Sequence, residues 1–576
     1  MNRIIELFIL FLLFTIFILP CLAQESQSNQ NQLPQIKLED YTIIGLEKVV
    51  LPRKVRRTME KKLELDWSQN TMVMLKESPE VSFKSDEKPG VTFLYDFPYI
   101  DADIEYGSFN TIDARLNAKA KAGTIIPFIG IDFGNSQGHV DNADYTNVTV
   151  NGGLEGQLWQ NSVFQLTARF RKDKQSLWSN QIPVDSSWKN KITVWNWQAN
   201  IDQKLSEEFS MFAGGNFQVL EYENRFDYNQ NYLSVNTGLI FSNDNTSVIV
   251  QGILDHNNSE PKDNNLNQVK NSSFNKTDYS LYSTYLKVLQ RINSISVGAG
   301  IKAQHLNIKN GSTDSKTELY PLAELSFSAQ NSFHINVKYQ PGLEFQAMER
   351  MLEEHRFADF GSYQPIKRKH KILGDINLKV TPNLEFAMSS SYSEFENYPI
   401  LYSSYFDTSA VIGPPQVFSS LNYKYPYWEY RYINNAKILE NSVGFTYFSP
   451  NQFSLGGWLT YRWDEIHTVD EKDSLISGNE IPYLPSLEGN LRFDWFFFNK
   501  HRLRISAIYV GEQYNDVENF VKLKDYLLLS ASVNFIITEQ FTLKFFGNNL
   551  LDQDFDLYNT YIAPGISGGA GIEIKF

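Results

Sequence analysis

Apolar and polar residues alternate with a period of two in many segments between Asp101 and the end of the sequence. The segment FTLKFFGN places Phe541, Leu543 and Phe545 on one side of an extended chain and Lys544 on the other. The segments FSLGGWLTYRW and LRISAIYVG alternate in the same way. This pattern predicts strands with one apolar face. It is typical both of a membrane β-barrel and of a soluble β-sandwich, so alternation alone does not choose between them.

The connections between the alternating segments separate these two folds. Short polar turns alternate with connections that are usually longer, such as the stretch from 396 to 435. Short turns on one rim and long loops on the other are typical of outer-membrane barrels. The short turns are AGT at 122, WQNS at 159, LSEE at 205, SNDN at 242, RIN at 291, AQNS at 329, TPN at 381, SPN at 449, FNK at 498 and TEQ at 538.

The series of turns also predicts the number of strands. Each short turn joins two strands, and a first strand near Asp101 to Ser108 and a last strand ending at Phe576 complete the set. We therefore predict an all-β transmembrane fold, an antiparallel outer-membrane β-barrel of about 22 strands over residues 101–576. An even number places both chain ends on the short-turn side, which is periplasmic in such barrels.

Composition removes two classes of protein. Mean hydropathy is -0.35, and only the extreme N-terminus approaches the roughly 20 consecutive apolar residues that a membrane helix needs, so a helical membrane bundle is excluded. The formal net charge of -14 argues against nucleic acid as a partner. Aromatic residues are 14% of the chain, which suits a barrel with aromatic belts at both membrane interfaces.

The first 23 residues are predicted to be an export signal. Arg3 supplies a positive start, Leu7 to Leu19 form an apolar core, and Ala23 precedes the predicted cleavage at Gln24. Two competing interpretations are a lipoprotein signal modified at Cys21 and a retained membrane anchor. Cleavage would remove the only cysteine, and with it disulfides, thiolate metal sites and cysteine nucleophiles.

Residues 24–100 are predicted to form an N-terminal linker followed by a reduced plug-like or periplasmic segment. The linker is the polar stretch ESQSNQNQLPQ. A basic run from Arg53 to Lys62 follows, and we interpret it as a solvated helix face.

Several motifs, taken in order, resemble the barrels of TonB-dependent receptors. An Asn-Leu-hydrophobic-Asp stretch, a Pro-Gly pair and a final strand ending in Phe stand in the family's order near the C-terminus, and DIEYGSFNTIDARLNAKAKAG resembles the family's first hairpin. The resemblance covers the chain from residue 101 to its end and implies an outer-membrane barrel of this size. The matching residues are Asn549, Leu550, Leu551, Asp552, Asp554, Phe555, Pro564, Gly565 and Phe576.

The resemblance also implies a plug domain in the lumen, preceded by a segment that contacts TonB. The length of the segment between Leu46 and Ile100 is at the lower end of the usual range of domain lengths, so a complete plug is not expected. A single buried strand of a small N-terminal subdomain is an equally valid interpretation of the TonB-contact-like segment. That segment comprises Asp40, Tyr41, Thr42, Ile43, Ile44 and Gly45.

The aromatic-rich loop between 396 and 435 is the candidate ligand site. Its side chains would stack on a sugar or a siderophore while their hydroxyl groups form hydrogen bonds. The alternative is that many of them belong to the aromatic girdle or pack the loop on itself. The candidate ligand-binding residues are Tyr402, Tyr405, Tyr425, Trp428 and Tyr430.

These features predict a transporter resembling TonB-dependent receptors that takes up a siderophore, a glycan or a similar ligand. Three alternatives remain open: a passive porin-like channel, a barrel-based outer-membrane hydrolase, and a surface adhesin. The 8 histidines are scattered without an HExxH or GxSxG motif, and Trp463 to His467 is the nearest approach to a cluster, so no catalytic residue, metal or cofactor is predicted. The expected partners are outer-membrane lipid, the barrel assembly machinery, TonB and an unidentified small-molecule or glycan ligand.

The C-terminal stretch GGAGIEIKF is predicted to be the strand that closes the barrel. Ile572, Ile574 and Phe576 would face lipid, and the strand would pair with the first one. A terminal Phe in this position resembles the signal by which the assembly machinery recognises outer-membrane barrels. The predicted location is therefore the outer membrane of a Gram-negative type envelope, with both termini periplasmic.

Overall fold

The structure of the chain is a computed structural model. The residues that the structure describes are 99–140, 143–159, 161–176, 189–223, 227–261, 276–310, 312–329, 332–345, 348–354, 358–360, 365–403, 428–449, 452–467, 476–498, 501–558 and 561–576. Within these ranges, no helix combines the length and apolar composition required to cross a membrane.

The described residues form one closed antiparallel sheet of twenty-two strands, which confirms the predicted fold and strand number. Strand β13 is interrupted, and both of its parts pair with β14. The strands are β1 (Tyr99–Gly107), β2 (Thr111–Lys119), β3 (Ile125–Ser136), β4 (Tyr145–Gly156), β5 (Ser162–Ser176), β6 (Lys189–Lys204), β7 (Phe209–Glu223), β8 (Tyr228–Ser242), β9 (Thr246–Pro261), β10 (Thr277–Ile292), β11 (Ile295–Asn310), β12 (Ser312–Ala329), β13 (Phe333–Tyr339 and Gly342–Glu344), β14 (Ile366–Thr381), β15 (Leu384–Glu396), β16 (Ala436–Ser449), β17 (Phe453–Ile466), β18 (Leu487–Phe497), β19 (His501–Val510), β20 (Tyr526–Ile536), β21 (Phe541–Asn548) and β22 (Ser567–Lys575).

The first and last strands close the barrel, as the sequence predicts. Ile104 of β1 pairs with Ala114 of β2 on one side and with Ile572 of β22 on the other. The seam continues past the last strand residue, because the Phe576 amide donates to the Ile100 carbonyl at 2.8 Å and the Ile100 amide donates back at 3.0 Å. Each strand edge at the seam is therefore hydrogen-bonded, which a barrel in hydrocarbon requires.

The two rims differ as expected. All ten predicted short turns join successive barrel strands on one rim, which also carries both ends of the barrel, and we call it the short-turn rim. The opposite rim, the long-loop rim, carries the connections around residues 345–365, 397–435 and 467–486. Three of its connections are short. A 3-10 helix at Ser108–Asn110 joins β1 to β2, four residues separate β7 from β8, and one residue separates β11 from β12.

The two faces of the wall also follow the alternation. Ile104 and Phe545 point outward and are 60% and 49% exposed, as expected for side chains that contact lipid. Lys544, between the two outward residues Leu543 and Phe545, points into the lumen and forms an ion pair with Asp103 of β1. The wall is therefore apolar outside and charged inside.

Smaller elements lie in the connections of the long-loop rim. The helix α1 (Met348–Glu354) follows β13. Three short strands, Ala358–Phe360, Tyr398–Ser403 and Trp428–Ile433, form a separate sheet. Two hairpins, Gln513–Tyr514 with Lys522–Leu523 and Asp556–Tyr558 with Tyr561–Ile562, complete the described elements.

Candidate functional site in the barrel lumen

The chain turns into the lumen after β13. Gly342–Glu344 still pairs with β14, and its middle residue, Leu343, contacts the inner wall of β11. The buried side chain of Gln304 extends the backbone pairing there, because its Oε1 accepts from the Leu343 amide at 2.7 Å and its Nε2 donates to the Leu343 carbonyl at 3.0 Å. Gly342 has a φ of 144° and lies against Gln304, so a side chain at this position would strain the backbone and collide.

Helix α1 packs its apolar side against the inner wall. Met348, Met351 and Leu352 are spaced three and four residues apart, which places them on one face of a helix, and all three are fully buried. This face and Phe345 pack on large side chains that strands of the wall direct inward. The wall residues of this cluster include Ile192, Val194, Leu220, Tyr222, Tyr228, Tyr279, Leu281 and Leu306.

A buried carboxylate fixes α1 to the wall by charge. Glu349 accepts hydrogen bonds from Arg169 Nη2 at 2.7 Å and 2.8 Å, and Arg171 Nη1 lies 3.5 Å from Glu349 Oε1. Gln218 of β7 donates to the other carboxylate oxygen. Arg171 also pairs with Asp173, so the two arginines face two carboxylates. We call the set of Glu349, Arg169, Arg171 and Gln218 the lumenal latch.

The aromatic-rich loop joins the same structure. Ala358–Phe360 pairs in parallel with Trp428–Ile433, which pairs antiparallel with Tyr398–Ser403. Tyr430 is buried in the apolar cluster around α1, and its hydroxyl donates to the Met351 carbonyl at 3.0 Å. The connection after β13 and the connection after β15 therefore form one packed unit on the inner wall of the barrel.

A second apolar cluster fastens other loops of the long-loop rim. Ile481 and Leu484 of the connection after β17 pack with Val517 of the connection after β19 on the ends of β14 to β17. The buried Asp464 carboxylate accepts from the Ile481 amide, and Asn479 Nδ2 donates to the Val517 carbonyl at 2.8 Å. These loops are therefore held in a fixed arrangement above the strand ends.

The inner wall carries compact ion networks. Arg462, which is almost completely buried, donates to Glu440 at 2.7 Å and to Glu488 at 2.9 Å. Lys367 pairs with Glu318 at 2.8 Å. Within the described ranges, no group of three His, Cys, Asp or Glu side chains is arranged to hold a metal ion.

The predicted ligand residues are only partly described. Trp428 lies opposite Ser403 and Tyr402 opposite Glu429 in the small sheet, while the placement of their side chains is outside the described part of the structure. Tyr405 and Tyr425 lie outside the described residues, as do Ala23, Gln24 and the segment 40–45. Tyr430 alone of the five has a described side chain, and it supports α1.

The remaining candidate residues lie on the wall and its rims. His467 follows β17, and its amide donates to the Asn435 carbonyl at 3.0 Å. Ile572, Ile574 and Phe576 lie along the seam, with Ile572 and Phe576 exposed on the outer face.

The motif that begins at Asn549 organises the loop between the last two strands. Asn549 has a φ of 47°, and its Nδ2 donates to the carbonyls of Gln553 at 2.9 Å and Pro564 at 3.1 Å. Asp552 Oδ1 accepts from the Ile566 amide at 2.8 Å, and a Cβ at Gly565 would lie 2.8 Å from the same oxygen. The motif residues therefore fix the connection that brings β22 to the seam.

The comparisons with known proteins agree with this architecture. The family described as "TonB dependent receptor-like, beta-barrel" matches residues 384–550. No curated protein sequence matches the chain. The solved structures that resemble the chain include the "Copper transporter OprC", with a TM-score of 0.62 and 11% identity over 83% of this chain and 80% of that chain.

Two further solved structures resemble the chain to the same degree. The siderophore receptor PiuA from Acinetobacter baumannii has a TM-score of 0.61 and 11% identity over 84% of this chain and 82% of that chain. The FrpB iron transporter from Neisseria meningitidis, in its F5-1 variant apoprotein form, has a TM-score of 0.64 and 9% identity over 84% and 82% of the two chains. The described barrel therefore has the fold of TonB-dependent receptor barrels, a family of the outer membrane.

Proposed function

We propose that this chain is an outer-membrane transport protein resembling TonB-dependent receptors, which takes up a ligand from the outside through its barrel. The observation that carries the proposal is the packed unit inside the closed 22-strand barrel, formed by α1, the lumenal latch and Tyr430. A barrel of this size encloses a wide lumen, and a segment fixed to the inner wall restricts it. The proposed ligand is a siderophore, a glycan or a similar small molecule.

The orientation follows from the rims. Under this proposal the short-turn rim and both chain ends are periplasmic, and the long-loop rim faces the exterior. The packed loops around Ile481 and Val517 then form the outer entrance. Tyr402, Tyr405, Tyr425 and Trp428 are the proposed ligand contacts of that entrance, because they belong to the loop that is joined to α1.

Liposome swelling with the purified full chain tests whether the barrel is gated. We expect little flux of small neutral sugars through the full chain and higher flux after deletion of residues 24–100, which the proposal assigns to obstruction of the lumen. Rapid flux through the full chain that this deletion leaves unchanged would identify a passive porin-like channel instead.

Energy coupling is tested separately through the TonB-contact-like segment. We expect Ile43→Pro to abolish energised uptake of a panel of labelled ferric siderophores and oligosaccharides by whole cells, while binding of the same probe at the cell surface is retained. Ser28→Pro in the polar linker is the matched control. Equal uptake by the Ile43→Pro variant and the wild type would remove TonB from the proposal.

A further inference from the structure

Three arginines of the inner wall share one carboxylate. Arg492 and Asp494 lie on β18, and Arg502 and Arg504 lie on β19. Arg504 donates through Nε to Asp494 Oδ1 at 2.7 Å and through Nη2 to Oδ2 at 3.3 Å. Arg492 Nε is 3.4 Å from Asp494 Oδ2, and Arg502 Nε is 3.9 Å from Oδ1. A single carboxylate therefore faces three guanidinium groups, and it forms a close bidentate pair with Arg504.

Two other ion networks of the described wall contain more carboxylates than cations. Arg462 has two carboxylate partners. Lys544 faces Asp103, Glu105 at 3.6 Å and Glu573 at 3.9 Å. Glu573 also attracts Arg502 electrostatically, but it is already paired with Lys575. Glu344 has two cationic partners, Arg368 at 2.8 Å and Lys371 at 3.7 Å. The three guanidinium groups around Asp494 give that group a larger excess of positive charge than the one around Glu344.

The accessible part of this group is the cationic part. Asp494 is buried, with its side chain 3% exposed, whereas the side chains of Arg492, Arg502 and Arg504 are exposed by between a quarter and about a third on the lumen side. The inward residues opposite them on β20 are polar, because Ser532 pairs with Arg504 and Asn534 with Arg502. A solute in the lumen would therefore meet three guanidinium groups over a polar surface.

We propose that Arg492, Arg502 and Arg504 form a binding site for an oxyanion group on the inner wall, close to the short-turn rim. Guanidinium groups present planar pairs of N–H donors that match phosphate and carboxylate oxygens. Electrostatic attraction is stronger beside a protein wall than in open water. The transported ligand then carries a phosphate or carboxylate group, and this last step rests on the proposed function, whereas anion binding itself does not.

The test is calorimetric titration of the full chain in neutral detergent at low ionic strength, with inorganic phosphate and, in a second series, with acetate. We expect saturable binding of one anion per chain. Arg502→Gln and Arg492→Gln should each weaken it at least tenfold, while Asp494→Asn should leave it equal or tighten it, because the competing carboxylate is lost. The matched control is Arg115→Gln. This variant also removes a guanidinium group, but one that forms an ion pair with Asp132 at 2.8 Å.

The outcomes separate a site from general attraction by the wall. Absence of saturable anion binding in the wild type overturns the proposal. So does a loss of anion affinity in Arg115→Gln as large as the loss in Arg502→Gln and Arg492→Gln. Loss of binding in Asp494→Asn also overturns it, provided that the variant keeps the folded gel mobility of the wild type in unheated samples. Uptake assays are not part of this readout, so failure of the oxyanion site and failure of the transport proposal are distinguishable.

Discussion

The carboxylate of Glu349, on the helix inside the barrel, accepts two hydrogen bonds from the guanidinium of Arg169 on the wall, at 2.7 Å and 2.8 Å. Glu349 is almost fully buried, so its charge is stabilised by Arg169, Arg171 and Gln218 and hardly by water. The helix has only seven residues and would be marginal alone. Its position therefore depends on the latch and on the apolar face beneath it.

Removing the charge of Glu349 should loosen the helix. We expect Glu349→Gln to weaken the docking of α1 by about 3 kcal/mol, because Arg169 and Arg171 then lose the buried carboxylate that they share. Hydrogen–deuterium exchange of residues 348–354 measures this directly and should become faster. Liposome swelling should rise in parallel if α1 restricts the lumen.

The control for this variant is an ion pair of the same kind at an exposed position. Glu260 and Lys276 pair at 2.9 Å, and their side chains are largely exposed. Glu260→Gln should change the free energy of unfolding far less than Glu349→Gln, because exposed ion pairs contribute little. Unchanged exchange of α1 in Glu349→Gln would show that the latch does not hold the helix.

The hydroxyl of Tyr430 allows the support of α1 to be separated from ligand contact. Tyr430→Phe keeps the buried ring and removes the bond to the Met351 carbonyl, which should cost about 1 to 2 kcal/mol because that carbonyl stays buried. Hydrogen exchange of α1 should become faster. Any change in ligand affinity should then result from the loosened helix and not from a lost contact between Tyr430 and the ligand. Lower affinity for the proposed ligand with unchanged exchange would place Tyr430 in direct ligand contact. Tyr402→Phe is the comparison variant, expected to alter ligand binding alone.

Asn549 should be among the residues of the last loop that tolerate substitution least. Asn549→Ala removes two donated bonds and one accepted from the Gln553 amide at 3.0 Å, and the residue is buried with a left-handed backbone. We expect the free energy of unfolding to fall by about 2 to 4 kcal/mol. The measurement is the urea midpoint of unfolding in detergent, which should be lower than in the wild type. The neighbouring Leu550→Ala, at a partly exposed side chain, should lose less than half of this.

The barrel was predictable from sequence because its determinants are local. Strand alternation has a period of two, and each turn on the short-turn rim is a few polar residues, so Lys544 inside and Phe545 outside follow from position alone. The latch is different, because Glu349 meets Arg169 across 180 positions, and no local pattern marks that contact. The spacing of Met348, Met351 and Leu352 is typical of a helix with one apolar face. It carries no information on whether that helix lies in the lumen.

Phe576 combines two contributions that suitable variants separate. Its backbone forms two hydrogen bonds with Ile100 at the seam, at 2.8 Å and 3.0 Å, while its side chain is 68% exposed on the outer face. Deletion of Phe576 removes both contributions, whereas Phe576→Ala keeps the backbone pairing and removes only the aromatic ring. If the ring is the signal for the assembly machinery, both variants should reduce the amount of folded protein in the outer membrane severalfold, measured by heat-modifiable gel mobility of membrane fractions.

The control is Phe498→Ala, which removes an exposed aromatic ring in a turn of the same rim and should assemble normally. Normal assembly of Phe576→Ala together with failure of the deletion would assign the role to closure of the seam and would contradict recognition of the ring.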